Sequence, residues 1–326
     1  PPRSTLSSSS AASDVYKRQG GFGADGVVHY NPTNGEDHTT FLALDENALY
    51  VAGMSNDGSG YHGCVLKINR TTGALFPGFG VNGLLDYGAG QAHDVAVDDT
   101  SLYVVNSNSG PDRVMKFNKE TGAIVPGFGT DGVVTIDAGR IVVDGNYLFV
   151  ADHDVAKLDK VSGALVPVFG TGGVVAVDAP NWIGVDQNRL YAAYADPIPG
   201  PWYLEAFDKA SGEAIPGFNQ DGGSTLAEGL VGAVTMTDQA VFIGGFDRSL
   251  PANDQQWRVE KRESAGGGLR QEFGVDGALS VNPGPGMDSF ADCAADGQWI
   301  YIFGTDNNAG DAQWRVEKRN IDTGEV

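Results

Sequence analysis

Polar and aromatic side chains suited to holding a ligand occur where short apolar segments of this sequence begin. If these segments are strands of neighbouring sheets, their starts lie around one opening, where a common ligand can be bound. We therefore predict a ligand-binding group made of His38, His93, Asp94, Arg140, Asn181, Trp182 and Asp288.

A second set adds residues from the ends of later segments, and its atoms suit a metal ion. Calcium takes about six to eight oxygen ligands, which carboxylates and amides supply, whereas histidines with a carboxylate suit a transition metal. The predicted metal ligands are Asp94, Asn106, Asp152 and His153, with calcium as the candidate ion. The alternative interpretation is that these segment ends are polar only because water surrounds them.

No motif of a catalytic nucleophile accompanies these residues, since the sequence has neither G-x-S-x-G nor H-E-x-x-H. The G-x-G-x-x-G at Gly21–Gly26 matches a dinucleotide-binding fingerprint. A strand pattern follows it where that fingerprint needs a helix, so it predicts a turn. Cys64 and Cys293 are the only cysteines, and the sequence is compatible with a disulfide or with two buried thiols.

The composition excludes several classes of partner. The chain has 326 residues, 42 of them acidic and 21 basic, and a formal net charge of −21. This excess of acids opposes binding to nucleic-acid phosphates and to anionic membrane surfaces. No apolar stretch reaches the roughly 20 residues of a spanning helix. We expect no nucleic-acid partner and no insertion into a membrane.

One phrase of eight residues occurs six times and divides the sequence into six repeats. Each copy has Phe in second place, usually with Gly after it. Recurrence of this kind is the signature of repeat architectures. The copies begin at Gly21, Gly78, Gly127, Val168, Gly217 and Glu272, and their phenylalanines are Phe22, Phe79, Phe128, Phe169, Phe218 and Phe273.

Between these phrases the same elements follow in the same order. In the second repeat, apolar runs bounded by Gly, Asn and Asp predict strands at 93–97, 101–106, 113–118 and 132–137. No window shows the apolar spacing of an amphipathic helix. Four strands per repeat and six repeats predict an all-β chain, a six-bladed β-propeller of four-stranded blades.

The two ends of the sequence complement each other. The last repeat stops at Val326 after a third strand, while a phrase and a strand pattern begin at Gly20. We expect this N-terminal strand to be the outer strand of the C-terminal blade, because closure removes exposed sheet edges. The alternative is a fragment of a longer array. Residues 1–19 resemble a translated sequencing adapter, so we treat 20–326 as one propeller domain whose natural N-terminus is missing.

Residues that recur in most repeats are interpreted as architecture rather than as sites. An Asp follows the first strand, where it can accept backbone N–H groups in a tight turn. The third strands of repeats 5 and 6 share QWRVEKR, whose alternation predicts charge pairs across strands on one face and Trp packing between blades on the other. The turn residues are Asp45, Asp98, Asp144, Asp186, Asp238 and Asp296, and a third-strand Lys recurs as Lys67, Lys116, Lys157, Lys261 and Lys318.

The order of third strand, N-x-x-T-G and F-G-x-x-G-V-V resembles the delta-60 and PQQ-like propeller repeats of bacterial and archaeal surface or secreted proteins. The resemblance covers Gly20–Val326 and implies a prokaryotic propeller at the cell surface or outside the cell. Quinone-dependent dehydrogenases of the wider group use a Trp after the T-G to dock neighbouring blades. The matching positions here argue against a quinoprotein, since they are Pro77, Pro126, Pro167 and Pro216.

The sequence favours a non-catalytic, extracellular or cell-surface propeller that serves as a binding or interaction module, and it leaves catalysis undecided. The expected partner is a glycan, a small molecule or a protein, bound by a monomer or by a module of a larger surface protein. The alternative is a calcium-dependent hydrolase such as a lactonase, in which the metal polarises a carbonyl and a channel carboxylate acts as general base. A third hypothesis is a quinone-dependent oxidoreductase.

Overall fold

A computed structural model of the chain describes residues 28–30, 37–56, 58, 60–107, 110–195, 200–218, 224–248, 255–282, 288–306 and 313–326. Throughout these residues the regular elements are β-strands, and every strand pair is antiparallel, so the all-β prediction is confirmed. None of them forms a helix long and apolar enough to cross a membrane. The chain divides into two compact units, Pro1–Ile136 and Asp137–Val326.

The first unit contains two four-stranded sheets whose strand order follows the sequence. The predicted strands of repeat 2 are all present. The outermost is the shortest, with three residues, because its ladder with the third strand has only three pairs. The strands are β1 Asp37–Leu44, β2 Ala48–Asn56, β3 Tyr61–Asn69, β4 Leu84–Ala89, β5 Gln91–Val97, β6 Ser101–Ser107, β7 Arg113–Asn118 and β8 Val133–Thr135.

The second unit contains sheets of four, seven and three strands. The second strands β10, β14 and β17 are buried along almost their whole length, and apolar residues of neighbouring sheets form the cores. The strands are β9 Arg140–Asp144, β10 Tyr147–Ala151, β11 Asp154–Asp159, β12 Val174–Ala176, β13 Trp182–Val185, β14 Arg189–Ala195, β15 Gly200–Asp208, β16 Ser224–Met236, β17 Ala240–Asp247, β18 Gln256–Glu263, β19 Ala278–Val281, β20 Ser289–Ala295, β21 Trp299–Asp306 and β22 Gln313–Asn320.

The seven-stranded sheet differs from the predicted pair of separate four-stranded blades. Its strand β16 has 13 residues and is long enough to serve two repeats. Ser224 and Gly229 pair with β15 of repeat 4, while Gly229–Met236 pairs with β17 of repeat 5. The last sheet has three strands. The leader 1–19 and most of the N-terminal strand that we expect to complete this sheet lie outside the described residues.

The turn after the first strand is held by its Asp in four repeats, as predicted. Asp45 Oδ1 accepts the backbone N–H groups of Asn47 and Ala48, both at 2.8 Å, and Tyr50 donates its hydroxyl to Oδ2 at 3.2 Å. Burial opposes ionisation of Asp45, but Lys119 and these backbone donors prevail and lower its pKa to about 2. The same turn is built around Asp98, Asp186 and Asp296.

Two repeats depart from this pattern. In repeat 3, Asp144 ends β9, and the chain reverses through Gly145 and Asn146 alone. In repeat 5 the prediction of Asp238 was wrong, because Thr237 takes the position and its Oγ1 accepts the N–H of Ala240 at 3.2 Å. The second-strand aromatic is Phe rather than Tyr in these two repeats, so no hydroxyl needs a carboxylate partner.

The recurrent Lys of the third strand connects consecutive repeats. Lys67 is buried, and its Nζ donates to the Lys119 carbonyl at 2.8 Å and to Glu120 at 2.7 Å in the next repeat. The same Nζ lies over the rings of Tyr50 at 5.5 Å and Phe79 at 5.9 Å. Lys157 and Lys261 make equivalent contacts in the second unit. The architectural interpretation of these lysines is therefore confirmed.

The repeated phrase forms a turn that docks on the T-G turn of the following repeat. Phe79 is fully buried, and Gly80 donates its N–H to the Thr121 carbonyl at 2.9 Å. A Cβ at Gly80 would approach the Leu84 carbonyl oxygen to 2.1 Å. Asn82 has a φ of 55°, which explains why the fifth place of the phrase holds only Asp, Asn or Gly. The phenylalanine of the phrase thus fills the junction between consecutive repeats.

Candidate functional site

Each sheet has one end that is nearly the same in all repeats and one end that differs. We call the end with the turn between first and second strands the constant end, since that connection has three residues in five repeats and two in the other. We call the opposite end the variable end. It carries the connections between second and third strands, which range from two residues to eight. The predicted ligand-binding residues lie at the variable end.

In the first unit, His38 lies near the start of β1 and lines a cavity of about 350 Å³ with His29, Tyr30 and Cys64. His93 occupies a bulge of β5 between Ala92 and Asp94. The Gln91 amide donates to its Nε2 at 2.8 Å. A bulge re-aims a side chain at the edge of a sheet, so His93 stands apart from the alternation of its strand.

The predicted metal ligands Asp94 and Asn106 do not converge. Asn106 pairs with Ala92 and Val105 with Asp94, which puts Asp94 and Asn106 on opposite faces of the sheet. Asp94 Oδ1 accepts the N–H of Val95 at 2.8 Å. Asn106 is almost fully buried, and its Oδ1 has no hydrogen-bond partner. The register therefore places these two side chains apart, and the predicted metal set stays a prediction.

In the second unit, the structure brings together Arg140 and Asn181, because Arg140 Nε donates to the Asn181 carbonyl at 2.8 Å. Asp152 and His153 are adjacent and exposed, with 2.9 Å between the carboxylate and Nδ1. The His153 carbonyl accepts the N–H of Ala179, which ties this connection to the segment before β13. Neighbouring repeats thus contribute adjacent polar groups at the variable end.

The last two predicted residues differ in their exposure to solvent. Trp182 packs on the apolar cluster of β14, β15 and β17, with its ring beside Gly184. Asp288 precedes β20 and is completely buried. Trp182 is half-buried, and both residues lie at the starts of first strands as predicted.

Within the described residues, no group of three or more His, Cys, Asp or Glu side chains is placed to hold a metal ion. Cys64 and Cys293 are both free thiols and both buried, which decides between the two alternatives left open by the sequence. Burial raises the pKa of Cys64 to about 11, so its thiol stays protonated and weakly nucleophilic at neutral pH.

The sequence did not reveal a cluster of two tyrosines and a carboxylate near the variable end of repeat 4. Tyr194 and Tyr203 stack with their ring centroids 5.2 Å apart, and the Tyr194 hydroxyl donates to Glu205 at 3.2 Å. Burial raises the pKa of Glu205, and the charge of Asp178 acts in the same direction. The signal for this cluster is cross-strand register, which a single sequence does not supply.

The sequence also did not reveal what QWRVEKR builds. The prediction of charge pairs across strands was wrong, since Glu260 binds Arg258 and Arg262 of its own strand at 3.0 and 2.8 Å. Glu317 pairs in the same way with Arg315 and Arg319. Residues two apart on a strand share a face, so a long Arg can fold back onto the Glu. Packing between repeats by Trp257, against Phe290, is confirmed.

No protein-family model matches the sequence, and no curated protein matches it. Solved structures with a similar fold include BamB from Moraxella catarrhalis, 14% identical with a TM-score of 0.46, covering 85% of this chain and 71% of that one. The WD40 domain of Toxoplasma gondii coronin is 11% identical with a TM-score of 0.49, covering 87% and 70%.

The Dos1 propeller is 11% identical, has a TM-score of 0.53, and covers 91% of this chain and 71% of its own. At this identity the similarity concerns the fold alone. Together with the repeated antiparallel sheets, it identifies the chain as a β-propeller repeat protein.

Proposed function

We propose that this chain is a non-catalytic, six-bladed propeller that binds a protein partner through its variable end, outside the cell or at its surface. The observation that carries the proposal is the difference between the two ends. At the constant end, Asp45, Lys67 and their equivalents are engaged in holding one repeat to the next. Connections that differ from repeat to repeat on a repeated scaffold suit recognition of one specific partner.

The chemistry of the variable end favours a partner with a basic surface. The connections there are rich in Asp, Asn, Ser and Gly, and the chain as a whole carries a net charge of −21. Complementary charge accelerates encounter and discriminates against acidic partners. The delta-60-like pattern of the repeats supports the extracellular or cell-surface location.

The proposal is tested with a photo-cross-linking amino acid placed at one end at a time. Position 153 reports on the variable end, since the side chain of His153 is 79% exposed, and position 46 reports on the constant end, where Glu46 is exposed. After incubation with a surface-protein extract, we expect one dominant protein adduct at position 153 and none at 46. Adducts of similar yield at both positions would contradict the proposal.

The hydrolase alternative has its own test. A lactone panel is assayed with calcium and with EDTA, in the unaltered protein and in Asp94→Ala and His93→Ala. Calcium-dependent turnover lost in both variants would replace the binding proposal by the hydrolase. Thermal unfolding in EDTA and with added calcium measures ion binding directly, because an ion that binds the native state raises the melting temperature.

The six-blade arrangement is part of the proposal. It is supported by six copies of the phrase and by a last sheet that has three strands within the described part of the chain, which the strand from Gly20 would complete. Deleting residues 1–27 should then lower the melting temperature by several degrees, whereas deleting 1–19 should leave it unchanged. Equal melting temperatures for both truncated proteins would reject closure by the N-terminal strand.

A further inference from the structure

The junction between repeats 4 and 5 contains two buried hydrogen-bond donors without acceptors. Trp202 is fully buried, and its Nε1 has no partner. Arg258 is 5% exposed, and its Nη2 also has no partner, although its Nε is bound by Glu260. An indole N–H and a guanidinium N–H can only donate, so both atoms need an acceptor.

These two donors flank the same glycine. A Cβ at Gly245 would approach the ring atom Cζ2 of Trp202 to 2.9 Å, so the indole lies against this glycine. Gly245 is the register partner of Arg258, and partners in an antiparallel ladder project on the same face of the sheet. Both unpaired donors therefore belong to side chains that face the junction between repeats 4 and 5 on the side of Gly245.

Among the described residues, neither donor reaches an acceptor. The apolar side chains of Leu204, Val231 and Ile243 pack there, and the Leu230 backbone carbonyl lies against Gly245 without accepting from either donor. The nearest carboxylate on the same face of β17 is Asp247, two residues from Gly245, and it accepts the Gln256 amide at 3.2 Å. Glu260 is fully committed between Arg258 and Arg262.

We infer that a small anion binds between Trp202 Nε1 and Arg258 Nη2, with chloride as the simplest occupant. An anion accepts from both donors and has no hydrogen of its own to satisfy. A water molecule would accept hydrogen bonds from the two donors, but its own hydrogens would then face apolar side chains without an acceptor. A small carboxylate offers the same acceptor chemistry as a halide and is distinguished by the test.

The chain contains an incomplete second copy that serves as an internal control. Trp257 lies against Gly304, whose register partner is Arg315, and its Nε1 also has no partner. The Arg315 side chain is 41% exposed, whereas that of Arg258 is 6% exposed. Water reaches the second guanidinium, so this copy lacks the pair of enclosed donors and should not retain an anion.

The test is thermal unfolding of the full chain in sodium chloride, sodium formate and sodium gluconate at equal ionic strength. Gluconate is too bulky to enter an enclosed site, so it controls for screening of the net charge. We expect chloride to raise the melting temperature by about 2 °C or more over gluconate and to saturate, as a ligand of the native state does. A rise in formate as well would assign the site to small carboxylates too.

The matched variants are Trp202→Phe, which removes the indole N–H and keeps a ring, and Trp257→Phe, which does the same at the incomplete copy. Each protein is compared with itself in two salts, so any loss of stability from the substitution cancels. We expect Trp202→Phe to abolish the chloride effect and Trp257→Phe to preserve it. No difference between chloride and gluconate in the unaltered protein, or an equal difference in Trp202→Phe, would overturn the inference.

Discussion

Asp45 and Lys119 belong to consecutive repeats, and the carboxylate of one lies 2.9 Å from the Nζ of the other. At the corresponding positions of repeats 5 and 6, the chain has Thr237 and Ile321. Both charges are thus replaced together at this junction. Between repeats 4 and 5 only the acid is kept, because Ser264 stands at the lysine position, and Asp186 there accepts the Tyr191 hydroxyl at 2.7 Å.

The Asp45–Lys119 pair should behave as a coupled unit in a double-mutant cycle. With Asp45→Asn, Lys119→Met and the double variant, urea unfolding at pH 7 should give a coupling of about 1 kcal/mol, because the pair is only partly exposed. The coupling should be complete above pH 4 and disappear as the pH falls towards 2, since the pKa of Asp45 lies below its ordinary value of 3.8, at about 2. Strictly additive effects at pH 7 would contradict the ion pair.

Glu260→Gln should destabilise the protein far more than Glu317→Gln. The first leaves two enclosed Arg side chains without their anion, a loss of about 3–5 kcal/mol. The second lies in the more exposed copy, where water replaces the carboxylate at a cost of about 1 kcal/mol or less. Denaturant midpoints of the two variants measure the difference. Similar midpoints would mean that burial does not distinguish the two copies.

Phe169→Ala tests the docking of the phrase on the next repeat. Phe169 is completely buried, with its ring centroid 5.7 Å from that of Phe149, so its removal should cost about 3–5 kcal/mol. The adjacent Val168 is 76% exposed, and Val168→Ala should stay within about 0.5 kcal/mol. A small loss for Phe169→Ala, measured by chemical unfolding, would show that the junction does not depend on this ring.

Substitutions at Asp131 test the left-handed backbone conformation of the same phrase. Its φ is 52°, in the left-handed region. Asp131→Val should cost about 1–2 kcal/mol because a branched Cβ is disfavoured there, whereas Asp131→Gly should be neutral or slightly stabilising. Unfolding midpoints measured side by side give the answer, and equal losses in both variants would point to the carboxylate instead of the backbone.

The repeats, their strands and their turns were predictable because each depends on local residues that recur. Six phrases and apolar runs such as the one at 101–106 indicated the strands correctly. The sharing of β16 by two repeats was not predictable, because it depends on the register of Ser224 and Gly229 with a neighbouring strand.

The candidate site was predictable only in part. The variable end was identified from first-strand starts such as Arg140 and His93. The separation of Asp94 from Asn106 follows from a bulge at His93, which shifts the alternation by one residue. The unpaired donors of Trp202 and Arg258 depend on what lies across a junction, and a shared QWRVEKR does not reveal that one copy is enclosed and the other open.

The continuous ladder from β13 to β19 has a consequence for how the molecule opens. The first two sheets have no strand in common, so the backbone hydrogen bonds of one sheet can break while those of the other sheet remain intact. From β13 to β19 each strand is hydrogen-bonded to the next, and β16 joins the two repeats through two irregular register pairs with β15 and a longer ladder with β17. Repeats 4 and 5 should therefore exchange their amide hydrogens as one cooperative unit. At this place in the array, the unit that opens cooperatively is two repeats instead of one.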